Sequence, residues 1–375
     1  MNNTKNILFI LNSFSFGGAE KQCLDLINNI DKKRCNAGVA YLDPNEAILP
    51  ELEKKSLLCV ECLQRHGKFD RSVLQRLKMI IELHQFDTIM CINEYAFLYA
   101  FFCVNIYRLK VRIIAAIHHT LPRPGVWEWI KSKLYQFLLN RTETILFVCR
   151  NQLDYWVHEY HINRSKSMVI YNGIDIEKYR DIYSPVEKLS LKKQLGFRED
   201  DFLVGICAVL RPEKKHLDFV QAIHRAGKTD SGIKGLIIGD GPERAKIEKV
   251  IKDYNLQQDI IMVGFQAEVR PFISICDCMV LTSHAVETFS IAALESMSMG
   301  KPVVMTNIGG ATEQVTPGKN GYLYKKGDIN ELTLTLLKMK KDGNSGKMGL
   351  AARQRVKENF SLATMVQSYE RLLLT

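Results

Sequence analysis

The sequence has no long hydrophobic run. Its longest aromatic-aliphatic stretch, Tyr95–Tyr107, contains Asn105 and falls short of the roughly 20 residues that a bilayer span needs. The apolar run Ile7–Leu11 breaks at Asn12-Ser13, too early for the core of a secretion leader. No internal repeat and no low-complexity segment occurs. The ten cysteines do not form a metal or disulfide framework. Cys59-x-x-Cys62 lacks a second pair at zinc-ribbon spacing, and most of the others sit in apolar runs, as Cys91 and Cys207 do. The expectation is a cytoplasmic protein, either free or attached peripherally at the inner face of the membrane.

Acidic residues are also in short supply, with 41 Asp and Glu against 51 Lys and Arg, for a formal net charge of +10. Such an excess points to an anionic partner: nucleic acid, a phosphorylated ligand or a membrane surface. Hydrophobic residues at 46% and charged residues at 25% are an ordinary globular balance that argues against long disorder. A chain of 375 residues is longer than one hydrophobic core usually sustains, so two domains are expected.

Short apolar runs alternate with longer helical patterns along the whole chain. In the first half the strand candidates are 6–11, 37–42, 58–63, 88–92, 112–117 and 144–149. In the second they are 202–209, 235–238, 260–263, 278–282 and 302–306. Runs without polar alternation fit strands buried on both faces of a parallel sheet, with crossovers such as 71–83 and 244–254 between them. The polar stretch Glu177–Gly196, which contains Pro185, reads as the break between the halves. The expected division is residues 1–180, a linker over 181–200, a second domain over 201–358 and a terminal helix over 359–375 that packs back on the first domain.

In a parallel α/β sheet, ligands lie at the carboxyl ends of strands, often at helix N-termini. Several motifs fall there. Gly17-Gly18-Ala19-Glu20 follows the first strand and opens a helical pattern; paired glycines let backbone approach a ligand, and a helix start offers N–H groups to an anion. A tight turn with Glu20 favouring the helix dipole explains the same residues. Arg211-Pro212-Glu213-Lys214-Lys215-His216 follows a buried strand, and its guanidinium and ammonium groups suit a diphosphate. A solvated basic loop is the plainer account. Gly239-Asp240-Gly241-Pro242 resembles a dinucleotide fingerprint, but Arg244 stands where its third glycine belongs, which disfavours a nicotinamide site.

Glu287-Thr288-Phe289-Ser290-Ile291-Ala292-Ala293-Leu294-Glu295 is the most specific element. Its two carboxylates would stand on the order of 12 Å apart on a helix, too far for a shared acid/base dyad. The spacing fits two ends of one elongated ligand, with the helix start between them facing its phosphates. Asn307-Ile308-Gly309-Gly310-Ala311-Thr312-Glu313 adds a further glycine turn after a strand.

Together with Ile170-Tyr171-Asn172-Gly173-Ile174-Asp175, these motifs resemble, in order and spacing, the family-four retaining glycosyltransferases. The resemblance implies the GT-B fold: two Rossmann-like, doubly wound parallel-sheet α/β domains facing across a cleft. It also implies transfer of a sugar from a nucleotide-diphosphate donor to an acceptor hydroxyl, with retention, in surface polysaccharide or glycolipid assembly. Carried over to this sequence, it makes Arg211 and Lys214 the grip on the donor diphosphate. Glu295 would hold the ribose, Glu287 would face the donor sugar, and the amides of Phe289, Ser290 and Ile291 would meet phosphate. Val263, with Gly264 and Phe265, would border the base. Gly17 and Gly18 would approach the donor phosphates, and His118 would lie near the reacting sugar, with His119 adjacent. Thr288 departs from the family's usual glycine; a positive φ there would strain a β-branched residue.

No cofactor and no metal are expected: Arg211, Lys214 and helix N-termini can stabilise a leaving diphosphate, and no Asp-x-Asp follows a strand. The motifs above do not define the acceptor side; the feature that stands out there is a basic segment, 108–150, with eight Lys or Arg against two acids. Trp127, Ile130, Leu134, Phe137 and Leu138 fall near one helical face there. Contact with anionic membrane, serving a lipid-linked saccharide acceptor, and an ordinary core helix are both open readings. A sugar-nucleotide epimerase or a phosphorylase of the same fold remains an alternative. More distant are an NAD-type oxidoreductase and a nucleic-acid binder; no nucleic-acid motif is present, and none is expected as a partner.

Overall fold

The computed structural model describes residues 4–67, 70–118, 126–285 and 288–375, and for 126–131 the backbone path alone. The chain divides into two compact units, Met1–Gly173 with Leu362–Thr375, and Ile174–Ser361. Among the described residues no helix is long and apolar enough to cross a membrane.

The first unit is built on seven parallel strands: β1 (Lys5–Leu11), β2 (Cys35–Tyr41), β3 (Val60–Cys62), β4 (Thr88–Ile92), β5 (Arg112–Ile117), β6 (Thr144–Phe147) and β7 (Ser167–Val169). They lie in the order β3-β2-β1-β4-β5-β6-β7. β1 shows why its sequence is apolar without alternation. Leu8 and Ile10 enter one core, Ile7, Phe9 and Leu11 the other, and all five are fully buried or nearly so. Helices cover both faces, as a parallel sheet with right-handed crossovers requires. The terminal helix Leu362–Leu373 belongs to this unit: Met365, Val366, Tyr369, Leu372 and Leu373 fill the same core as Leu24 and Ile27.

The second unit holds six parallel strands: β8 (Phe202–Cys207), β9 (Ile233–Ile238), β10 (Ile260–Gly264), β11 (Cys278–Leu281), β12 (Val303–Thr306) and β13 (Gly321–Tyr324). Their order is β10-β9-β8-β11-β12-β13, and alternate residues of β8 again serve opposite cores. Ile174 and Ser361, the first and last residues of the unit, form a bridge, and the Ile174 N–H donates to the Phe360 carbonyl at 2.9 Å.

Three expectations differ from what is observed. β7 and β13 have no counterpart among the expected strands; both are sheet edges of three and four residues, half-buried in part, so neither carries a long apolar run. Residues 181–200 are not a bare linker. They belong to the second unit and contain the helix Pro185–Gln194. Its start is a capping box in which Ser184 and Glu187 exchange side-chain-to-backbone hydrogen bonds, and Pro185 occupies the first turn, where its missing N–H costs nothing. The helix Val126–Leu139 also differs from its expected face. Leu138 is buried, with Tyr135 and Leu139, whereas Leu134 and Phe137 are exposed. Trp127 and Ile130 lie where only the backbone is described.

Candidate functional site

In the second unit the expected donor residues fall at the carboxyl ends of four neighbouring strands. Arg211 follows β8, the Gly239 turn follows β9, Val263 lies in β10, and the segment leading to Ser290 follows β11. The Arg211 loop is held from both sides. On one side Leu210 N–H donates to the Asp240 carbonyl at 3.0 Å, and Glu243 N–H to the Leu210 carbonyl at 3.0 Å. Gly239 and Gly241, with φ of +137° and +157°, make this approach possible; a Cβ at Gly239 would overlap the Ala208 carbonyl oxygen, and one at Gly241 would lie 2.7 Å from the Leu210 carbonyl oxygen. The glycines that imitate a dinucleotide fingerprint thus shape a neighbouring loop.

On the other side the Thr282 hydroxyl donates to the Lys214 carbonyl at 2.7 Å, and His284 N–H to the Glu213 carbonyl at 2.9 Å. The His284 ring meets Asp218 at 2.6 Å, which ties that support to the helix His216–Thr229. Between these clamps Pro212–Lys214 forms a single 3₁₀ turn that leaves Arg211 exposed and Lys214 half-buried. Lys215 follows in the left-handed region at φ +50°, so its side chain departs differently from that of Lys214.

His216 is a residue that the sequence reading passed over. It is 2% exposed, and neither ring nitrogen has a hydrogen-bond partner among the described residues. Burial, assisted by the Lys214 charge, depresses its pKa to about 4. A neutral ring therefore sits directly beneath the cationic loop.

The helix Ile291–Ser298 begins with Ser290 as its cap; the Ser290 hydroxyl accepts the Ala293 N–H at 3.3 Å. Ser290 is also locked by Gln314, whose side-chain oxygen accepts the Ser290 N–H at 3.1 Å and whose amide donates to the Ser290 carbonyl at 2.8 Å. The Ser290 amide, expected to face phosphate, is thus engaged within the protein. Gln314 is delivered by the Gly309-Gly310 turn, in which Gly310 N–H donates to the Thr288 carbonyl at 2.8 Å. Phe289 is buried and meets Phe360 edge-on, with centroids 5.2 Å apart. Thr288 is absent from the positive-φ residues, so its β-branched side chain is compatible with the turn.

Glu295 is half-buried one turn into this helix, and its charge, after burial, helps push the Cys207 thiol at the end of β8 up to about 12. Val263 stands at an irregularity of β10 between Met262 and Gly264, and its carbonyl accepts the Gln266 side-chain amide at 2.8 Å. Phe265, just beyond, is 69% exposed and offers a ring face. Glu287 lies outside the described residues.

In the first unit, Gly17, Asn93 and His118 follow β1, β4 and β5, which are neighbours. Gly17 is extended, at φ −161°, and Gly18 is the first residue of the helix Gly18–Asn29. The Glu20 carboxylate folds back over the helix start into the space beside Gly17, so a Cβ there would displace that side chain. Burial raises the Glu20 pKa, partly offset by a hydrogen bond from a backbone amide. His118 is half-buried, and its N–H donates to Asn93 Oδ1 at 3.1 Å. Asn93 was not singled out from sequence. Its φ of +68° and ψ of −177° fall in a region that is nearly glycine-only, a strain of about 1–3 kcal/mol of the kind concentrated at working sites. His119 lies outside the described residues.

This architecture is shared with solved GT-B enzymes. A crystal structure of Anabaena Alr3699/HepE in complex with UDP superimposes with a TM-score of 0.86 at 24% identity, covering 98% of this chain and 99% of that one. Family models agree: that for glycosyltransferase family 4 matches residues 16–178, and that for glycosyl transferases group 1 matches residues 187–359. The chain belongs to the family-four glycosyltransferases of GT-B fold. Among curated relatives, N-acetyl-alpha-D-glucosaminyl L-malate synthase of Bacillus anthracis is 27% identical over 70% of this chain and 67% of that enzyme. The UDP-Gal:alpha-D-GlcNAc-diphosphoundecaprenol alpha-1,3-galactosyltransferase of Escherichia coli is 24% identical over 66% of this chain and 63% of its own length.

Proposed function

We propose that this glycosyltransferase moves a sugar from a nucleotide-diphosphate donor to a hydroxyl of a lipid-linked saccharide, with retention at the anomeric carbon and without a metal ion. The observation that carries the donor half is the doubly clamped loop that holds Arg211 and Lys214 at the end of β8. As the glycosidic bond breaks, negative charge grows on the departing diphosphate. A guanidinium and an ammonium, carried on a loop whose backbone is held before the reaction, stabilise that charge together with the Ile291 amide. Glu295 holds the ribose hydroxyls, and Val263 with Phe265 borders the base. Gly17, Gly18 and His118 serve from the first unit, and Glu287 faces the donor sugar.

The lipid-linked acceptor is supported by the Escherichia coli relative, named for a diphosphoundecaprenol substrate. It is supported too by the exposed Leu134 and Phe137 on the basic segment, where the Arg141 guanidinium lies 3.6 Å from the Phe137 ring centroid. An exposed ring beside a cation suits peripheral contact with anionic lipid. The test is a transfer assay with a panel of nucleotide sugars and a polyprenyl-diphosphate saccharide, run with chelator and followed by NMR of the new anomeric centre. Retained configuration and undiminished turnover in chelator are expected. Inversion, loss of turnover in chelator, or isomerised or hydrolysed donor with no transfer would overturn the reading.

A further inference from the structure

The first unit contains a cavity of about 360 Å³ in the groove between the helices Arg71–His84 and Glu94–Tyr107. Its walls are Leu74, Tyr95, Leu98, Tyr99, Phe102 and Ile106. The volume falls in the range of small-molecule sites, and the lining is almost wholly apolar. The groove is also long. Tyr95, Leu98, Tyr99, Phe102 and Ile106 recur every three or four residues, a stripe of roughly 16 Å along one helix face. That shape suits an extended chain better than a compact ring.

Among the residues that line the cavity, the charged groups gather at one end. Asp70 and Arg71 close the groove where the helix Glu94–Tyr107 begins, just after β4. The Asp70 carboxylate is committed to the chain: it accepts the Ser72 hydroxyl at 2.6 Å, the Ser72 N–H at 2.9 Å and the His66 N–H at 2.9 Å. The Asp70 N–H in turn donates to the Tyr99 hydroxyl at 2.8 Å. Arg71 is exposed and has no ion-pair partner among the described residues. Arg65 adds a second cation, stacked 4.5 Å from the Tyr95 centroid and held by Asp43. At the opposite end Ile106 is 58% exposed.

An apolar slot with a cation at one mouth is complementary to a single hydrocarbon chain with an anionic head. We propose that this groove holds the first isoprene units of a polyprenyl-phosphate-linked acceptor, with Arg71 at the phosphate end. The proposal rests on the lipid-linked acceptor argued above. A second protein is the poorer occupant, because this narrow strip offers far less apolar surface than the roughly 800 Å² per partner of a stable interface.

Two measurements test it. The first is photolabelling with a short prenyl monophosphate that carries a diazirine on its terminal isoprene. Label is expected on peptides spanning residues 94–107. Unlabelled prenyl phosphate should compete and inorganic phosphate should not. Ile106→Glu, at an exposed position that tolerates charge, should cut the labelling about tenfold, and Phe102→Ala should cut it in the same direction. Label spread over other surfaces, or label unmoved by both variants, overturns the proposal.

The second measurement compares one saccharide diphosphate on a polyprenyl tail and on a short alkyl tail. Ile106→Glu should raise the KM ratio of long to short acceptor about tenfold, the factor that corresponds to roughly 1.4 kcal/mol. A ratio that stays put overturns the groove even where transfer proceeds. Specific label without transfer to either acceptor supports the groove and overturns the transfer reading instead. A dimer in sedimentation that Ile106→Glu abolishes would make the strip a self-association face and would also overturn the proposal.

Discussion

In the second unit the loops at the carboxyl edge are fixed by neighbouring groups: the backbone of Gly239 against Ala208 and of Gly241 against Leu210, the Thr282 hydroxyl on Lys214 and the Gln314 side chain on Ser290. In the first unit the same edge holds a strained Asn93 and opens into an apolar groove whose far end is exposed. The difference follows the ligands each half is proposed to meet. A diphosphate offers the same oxygens whatever sugar it carries, so rigid, pre-set donors serve it. An acceptor with a long tail is recognised chiefly by burial, which needs a surface more than a set of directed hydrogen bonds.

The sharpest way to break this contrast is Arg211→Ala. Arg211 is exposed, so the protein should stay folded while kcat falls by a factor of about 100 to 1000, the usual loss when one preorganised charge donor is removed. Steady-state kinetics with saturating donor reads this directly. Unchanged turnover would leave the clamped loop without a catalytic reason.

Gly239→Ala attacks the clamp in place of the cation. The new methyl group meets the Ala208 backbone, and the φ of +137° strains any L-residue, so the second unit should lose about 3 kcal/mol or more of stability. Chemical denaturation followed by hydrogen exchange on β8 and β9 peptides would show it. An unaltered midpoint would mean that the two loops do not depend on each other.

His216 sets a pH dependence on the same loop. Its folded pKa of about 4 lies below the ordinary histidine value, so the neutral form is favoured by folding. Its contribution, on the order of 3 kcal/mol, is present above about pH 6.5, shrinks as the unfolded chain takes up a proton, and is lost as pH falls through 4. His216→Leu should flatten the acid limb of the stability profile between those values. A limb of unchanged slope would show that the ring is not held neutral.

Asn93→Gly gives the smallest effect and probes the other half. Relief of backbone strain and loss of the hydrogen bond to the His118 N–H nearly cancel, so stability should shift by less than about 1 kcal/mol. Any fall in kcat at unchanged donor KM would then report the placement of His118. A stability loss of several kcal/mol would mean that Asn93 is chiefly structural.

Much of this was legible in the sequence because parallel strands buried on both faces leave unbroken apolar runs. Residues 88–92 and 112–117 were expected as strands at the limits now observed. Edge strands such as β13, Gly-Tyr-Leu-Tyr, carry no such run. The helix Pro185–Gln194 did leave a trace in Ser184-x-x-Glu187, outweighed by the polar character of the stretch and its Pro185. For the candidate site, sequence proposed Arg211 and Lys214 from their loop after a strand and Glu295 from its place within a helix. It could not disclose that the Ser290 amide is occupied, since its partner Gln314 lies 24 residues away. Asn93 was equally hidden, because a dihedral angle leaves no mark in composition.

The terminal helix has a consequence for synthesis. The first unit's core is completed by Met365, Val366, Tyr369, Leu372 and Leu373, and all of Ile174–Ser361 lies between them and the rest of that unit. A chain emerging from the ribosome therefore offers the second unit complete while the first still lacks a wall. Domains generally fold N-terminal first during translation. Here the order of completion is reversed, and the earlier-made half must wait, partly uncovered, for residues 362–373 to arrive.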